Sequence, residues 1–105
     1  MAEIVLSEFV EPELAAIWDY IFIDNIDAAD RFLEAAYTTL GKLARMPGMG
    51  PERRFGQPRL SEVRSFRVER FDKYLIFCAP IPKGIEVFHV LHGARDLEGL
   101  FSASG

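Results

Sequence analysis

Apolar residues recur at helical spacing through the first half of the chain and at strand spacing through the second. Glu3 to Phe9 (EIVLSEF) alternates weakly over a short stretch, which predicts an edge or starting strand. Leu14, Ile17, Trp18, Ile21 and Phe22 then fall on one stripe of a helix, a spacing that assigns Trp18 to the core. Pro12 suits the first turn, where a missing N–H is tolerated, and Glu11 and Glu13 suit the positive end of the helix dipole. Asp24-Asn25 breaks the period, and Asp27 is a natural N-cap for a second helix with Asp30 in its first turn. Ala29, Phe32, Leu33, Ala36, Leu40, Leu43 and Ala44 form its apolar stripe, with small residues that permit close helix approach. Gly41 costs about 1 kcal/mol against alanine inside such a helix, and Pro47-Gly48 ends it.

Met46 to Pro58 reads as a loop punctuated by proline and glycine, carrying Arg53 and Arg54. Ser61 to Glu69 begins the sheet, with Val63 on one face and Phe66 and Val68 on the other, and a turn follows near Arg70 to Asp72. Lys73 to Ala79 (KYLIFCA) is nearly all apolar, as a central strand must be, and Pro80 to Gly84 reads as the next loop. In the last strand Glu86, Phe88 and Val90 alternate with Ile85, Val87, His89 and Leu91, and the alternation stops at His92-Gly93. Two helices on one face of a small antiparallel sheet give an α+β domain in the order β-α-α-β-β-β.

A chain of 105 residues, half of them hydrophobic, supports a single domain spanning 1–105. It has no apolar run long enough to span a bilayer and no basic leader, so the expected compartment is the cytoplasm. The single cysteine, Cys78, lies in an apolar strand and reads as a buried small hydrophobe before it reads as a reactive thiol. No Cys or His spacing suits zinc, and no metal or cofactor is expected. The net charge of −4 divides unevenly: residues 1–50 hold nine acidic and three basic side chains, and residues 51–105 hold nine basic and seven acidic, so the halves carry −6 and +2. So small a basic excess disfavours bulk binding of nucleic acid, because phosphate neutralisation drives that affinity.

Three polar side chains, His92, Arg95 and Asp96, cluster at the end of the last strand around Gly93. They read either as an interaction site or as residues that hydrogen-bond the turn and pair with acidic neighbours. Glu8, Glu13, Asp19, Asp24 and Glu34 give the helical hairpin its acidic character, which suits a solvated face or the electrostatic selection of a partner.

The words LHGARD after a hydrophobic strand, with Leu97 and Leu100-Phe101 beyond, resemble the C-terminal signature of ParE-type toxins of the RelE/ParE superfamily. VRSFRVERFDKYLIF (Val63 to Phe77) is similar to that family's two middle strands, FVEPELAAIWDYI (Phe9 to Ile21) to its first helix, and LARMPGMG (Leu43 to Gly50) to the exit from its second. The resemblance implies the same strand, helical hairpin and three strands. It also implies the toxin of a type II toxin–antitoxin system that inhibits DNA gyrase by binding, with His92, Arg95 and Asp96 facing the target. A ParD-like ribbon-helix-helix antitoxin is the implied partner, folding as it binds. Trp18 and Phe22 on the hairpin, and Arg53, Arg54 and Arg67 facing an acidic antitoxin tail, are its candidate contacts.

The rival reading is a RelE-like, ribosome-dependent mRNA endoribonuclease, for which Arg64, Arg67, His89, His92 and Arg95 are the available groups. Against it, His89 and His92 have opposite strand parity, and no tyrosine or lysine follows Lys83 to complete such a site. Cys78 where an aromatic is expected, His89 where many relatives carry a basic residue, and the low net charge depart from the family pattern. A non-toxic remnant that retains antitoxin binding is the third reading.

Overall fold

The computed structural model describes residues 2–46 and 63–94. Its elements run β1 (Glu3–Leu6), α1 (Val10–Asp24), α2 (Ile26–Arg45), β2 (Arg64–Val68), β3 (Phe71–Ile81) and β4 (Gly84–His92). Pro12 takes a first-turn position of α1, as expected. The hairpin between the helices turns on Asn25, which caps α2 two residues earlier than the N-cap expected at Asp27. Its backbone N–H donates to the Ile21 carbonyl at 2.9 Å, closing α1, while its side-chain oxygen accepts from the Ala28 N–H at 3.0 Å, opening α2. Asp27 falls in the first turn of α2, where it still complements the dipole.

The sheet order is β1-β4-β3-β2. The three later strands pair antiparallel, and β1 adds to β4 in parallel, which makes the sheet mixed. β4 therefore lies between β1 and β3. Gly84 is where β1 comes closest: a Cβ there would stand 1.9 Å from the Glu3 carbonyl oxygen, so only glycine admits the strand. β3 continues through Pro80 and Ile81, opposite Ile85 and Gly84, so the connection shrinks from the expected loop to Pro82 and Lys83. A proline this close to a strand end removes little pairing.

Both helices cover one face of the sheet. Phe32, Ala36, Leu40 and Leu43 of α2 and Val10 and Leu14 of α1 pack on Val68, Tyr74, Ile76, Cys78, Ile85, Val87 and Val90. A smaller cluster of Val63, Phe77 and Leu91 occupies the other face. Val87 and Val90 share the helix side although they stand three positions apart, an odd spacing that would put them on opposite faces of a regular strand. The register passes from Phe77 opposite His89 to Cys78 opposite Val87, and Phe88 is the extra residue of a β-bulge. The bulge overturns the simple alternation expected for this strand.

The turn between β2 and β3 is tied to α2. Buried Thr39 donates to the Ala35 carbonyl at 2.7 Å and accepts from the Glu69 N–H at 3.2 Å, while Lys42 pairs with the Glu69 carboxylate at 2.6 Å. Arg70 completes the turn with φ at 68°, a left-handed conformation unusual for a side-chain-bearing residue.

Candidate functional site

His92 ends β4 with its side chain exposed. The Ala94 N–H donates to its Nδ1 at 3.1 Å, which leaves Nε2 to carry the proton of the neutral ring. The ring meets Tyr74 edge-on with centroids 5.4 Å apart, and the Gly93 N–H donates to the Lys73 carbonyl at 2.8 Å, closing the end of the strand pair. A Cβ at Gly93 would meet its neighbours at an ordinary 3.5 Å, so the glycine is not required by packing. A cavity of about 320 Å³ opens beside His92, walled by Ile17, Tyr20, Tyr74 and Val90, with Glu13 at its polar side. Burial, and then the nearby Tyr20, push the Tyr74 phenol above its ordinary range. Arg95 and Asp96 lie outside the described residues, as do Arg53 and Arg54.

His89 occupies a different environment from His92. It is buried, its ring stacks on Phe9 with centroids 5.2 Å apart, and its Nδ1 lies 2.7 Å from Glu13 Oε2. The other oxygen of Glu13 accepts the Val90 N–H at 2.9 Å, a donor turned toward α1 beside the bulge. One carboxylate thus clamps α1 to β4 two residues ahead of His92. In the sequence, Glu13 suits the helix dipole and a solvated face, and neither places it against His89. Nothing local marks a partner 76 positions away.

The other candidates separate. Trp18 is half-buried rather than core: its indole N–H donates to Asp30 at 3.1 Å and its ring stacks on Phe22, centroids 4.7 Å apart. Both aromatics sit on the flank of α1, Trp18 half-buried and Phe22 exposed. Arg67 stands opposite Leu75, on the sheet face away from the helices, and so is not brought together with Trp18 and Phe22. Arg64 stands opposite Cys78, on the helix side. With Arg64 and Arg67 on opposite faces and His89 buried against Glu13, the groups considered for phosphate chemistry do not converge among the described residues. Cys78 is buried at the sheet centre, and that burial, partly offset by Arg64, pushes its thiol up to about 11.

A strand, a helical hairpin and three strands, with β1 inserted in parallel beside β4, form a specific arrangement, and its sequence counterpart is equally specific. The model of the ParE toxin of type II toxin–antitoxin systems (parDE) matches residues 4–97. The chain belongs to the ParE toxin family. Among solved structures, a chain of the chromosomal ParDE toxin–antitoxin system from P. aeruginosa shares the fold, with a TM-score of 0.69 and 17% identity over 88% of this chain and 96% of that one. No curated protein matches the sequence. The ParE match runs through all six elements and includes His92, Arg95 and Asp96.

Proposed function

We propose that this ParE-family chain is a toxin that acts by binding a protein, that DNA gyrase is its target, and that a ParD-like antitoxin neutralises it. The observation that carries the reading is the ParE match across residues 4–97, which extends through the segment after β4. His92, Arg95 and Asp96 are the proposed target-facing residues. The exposed His92, held by Tyr74 and the Ala94 N–H beside an apolar cavity, supports a docking role. Trp18 and Phe22 are the proposed antitoxin contacts on the hairpin, with Arg53, Arg54 and Arg67 as further candidates. The whole chain is taken as one toxin domain working in the cytoplasm, where the proposed target resides. Among the described residues no helix is long and apolar enough to cross a membrane.

The ribonuclease reading receives less support, because His89 is enclosed by Phe9 and Glu13 and the two arginines of β2 diverge. The deciding experiment induces the chain alone in bacteria and follows DNA replication, the SOS response and translation separately. Gyrase inhibition blocks replication and induces SOS while translation continues at first. Early arrest of translation with cut messenger RNA would instead establish the ribonuclease. His92→Ala with Arg95→Ala is expected to abolish growth arrest and leave antitoxin binding nearly unchanged, measured by co-purification. Loss of soluble protein would assign these residues to the fold instead.

A further inference from the structure

The cavity beside His92 combines a carboxylate with aromatic rings. Ile17, Val90 and Leu91 give it apolar walls, and its polar side chains are Glu13, Tyr20, Tyr74 and His92. Among the described residues that line it there is no Lys or Arg. At about 320 Å³ it lies at the small end of ligand pockets, room for one inserted side chain rather than for a helix.

Glu13 sets the charge of this cavity. A carboxylate only accepts hydrogen bonds, so the hydrogen shared with His89 belongs to Nδ1, while the Val90 N–H donates to the other oxygen. Each oxygen has a second lone pair, so acceptor capacity remains for a further donor. With the His89 ring neutral, neither donor cancels the negative charge. The other charged residues of α1 are acidic as well, so an incoming cation meets no repulsion from this helix.

The rings complete the site. Tyr74 meets His92 edge-on, and Tyr20, 69% exposed, keeps its ring in solvent beside them. With its phenol raised by burial and by Tyr20, Tyr74 stays a neutral hydroxyl, and the faces of such rings attract cations. Between the two cationic side chains, the guanidinium suits the cavity better than the ammonium. It is planar, stacks on aromatic faces, is weakly hydrated and therefore leaves water at lower cost.

We infer that this cavity receives an arginine side chain of the protein target, its guanidinium paired with Glu13 and lying against Tyr20 and Tyr74. The target as its source rests on the function proposed above, because His92, the target-facing residue named there, forms part of the cavity wall.

The full chain is titrated with N-acetyl-arginine methylamide and with the citrulline analogue, which has the same shape without the charge, and binding is followed by NMR. The expected result is a saturable shift of the Tyr20, Tyr74 and His92 signals, with an affinity for the arginine compound at least about tenfold above that for citrulline. Glu13→Gln, which keeps an acceptor, removes the preference. Tyr20→Ala, a change at the surface, weakens arginine binding. Ala16→Leu fills the cavity and abolishes binding, whereas Ala15→Leu, the same enlargement in the groove between the helices, leaves it unchanged. Equal affinity for the two compounds, or indifference to Ala16→Leu, overturns the site. Arg95→Ala separates a partner's arginine from the chain's own: unchanged affinity supports the partner, and a gain of about tenfold assigns the cavity to Arg95 and overturns it. In bacteria, Ala16→Leu is expected to relieve growth arrest while the antitoxin still co-purifies. Loss of the antitoxin, or growth arrest that persists, overturns the target as the source. Absence of arrest with the wild-type chain refutes the toxin reading, and with it that source, while arginine binding measured by NMR stands on its own.

Discussion

Glu13 shows how one side chain can hold two elements in register. Its two oxygens engage His89 and the Val90 N–H, so Glu13→Ala removes both contacts where water is scarce. The expected loss is about 2 kcal/mol in urea unfolding, since hydrogen bonds involving a charged group are worth more than neutral ones. Glu13→Gln, which keeps an acceptor, loses less. Cys78 gives a pH signature. Its thiol is raised from the ordinary 9.0 to about 11, so the unfolded chain ionises first as pH rises. The stabilisation is complete below pH 9 and declines between pH 9 and 11, which urea midpoints measured across that window would record. Tyr74, also raised by burial, acts in the same direction. Cys78→Val is expected to flatten the decline. The role of Cys78 as a buried hydrophobe was legible from its apolar neighbours, whereas the role of Glu13 was not, because acidic residues in a first helical turn already have a sufficient local explanation.

At the scale of elements, two glycines predict opposite outcomes for one substitution. Gly41 lies inside α2, where a Cβ would meet only Arg45 Nη1 at 3.8 Å, so Gly41→Ala is expected to stabilise by about 1 kcal/mol. Gly84→Ala drives a methyl into the Glu3 carbonyl and should destabilise by about 3 kcal/mol by displacing β1. Thermal melts of the two variants test both signs. The helical hairpin and three later strands were legible because α2 is strongly amphipathic and β3 is apolar on both faces. Two features were hidden. A strand apolar on both sides carries no mark of a bulge, so the shift at Phe88 escaped the alternation rule. The parallel seat of β1 depends on a glycine distant in sequence, and Trp18, on a helix apolar around most of its circumference, could not be assigned a side by spacing alone.

At the scale of the molecule, one cluster joins both helices to β2, β3 and β4, so secondary structure and Trp18 fluorescence are expected to report a single unfolding transition in urea. Separated midpoints would show that the hairpin and the sheet melt independently. The candidate target site was legible only in part: His92 stood out at the end of a strand, but its support by Tyr74 depends on strand pairing that no local pattern reveals. The seat of β1 beside β4 bears on synthesis. The Ser7 hydroxyl reaches the Phe88 carbonyl across 81 positions, and β4, which both β1 and β3 require, is the last of the described elements to leave the ribosome. A message cut or stalled before Gly84 therefore yields a chain without the centre of its sheet. Such a fragment keeps the α1–α2 hairpin and the β2–β3 pair but leaves β1 with no strand to join, so the complete sheet forms only once translation has passed β4.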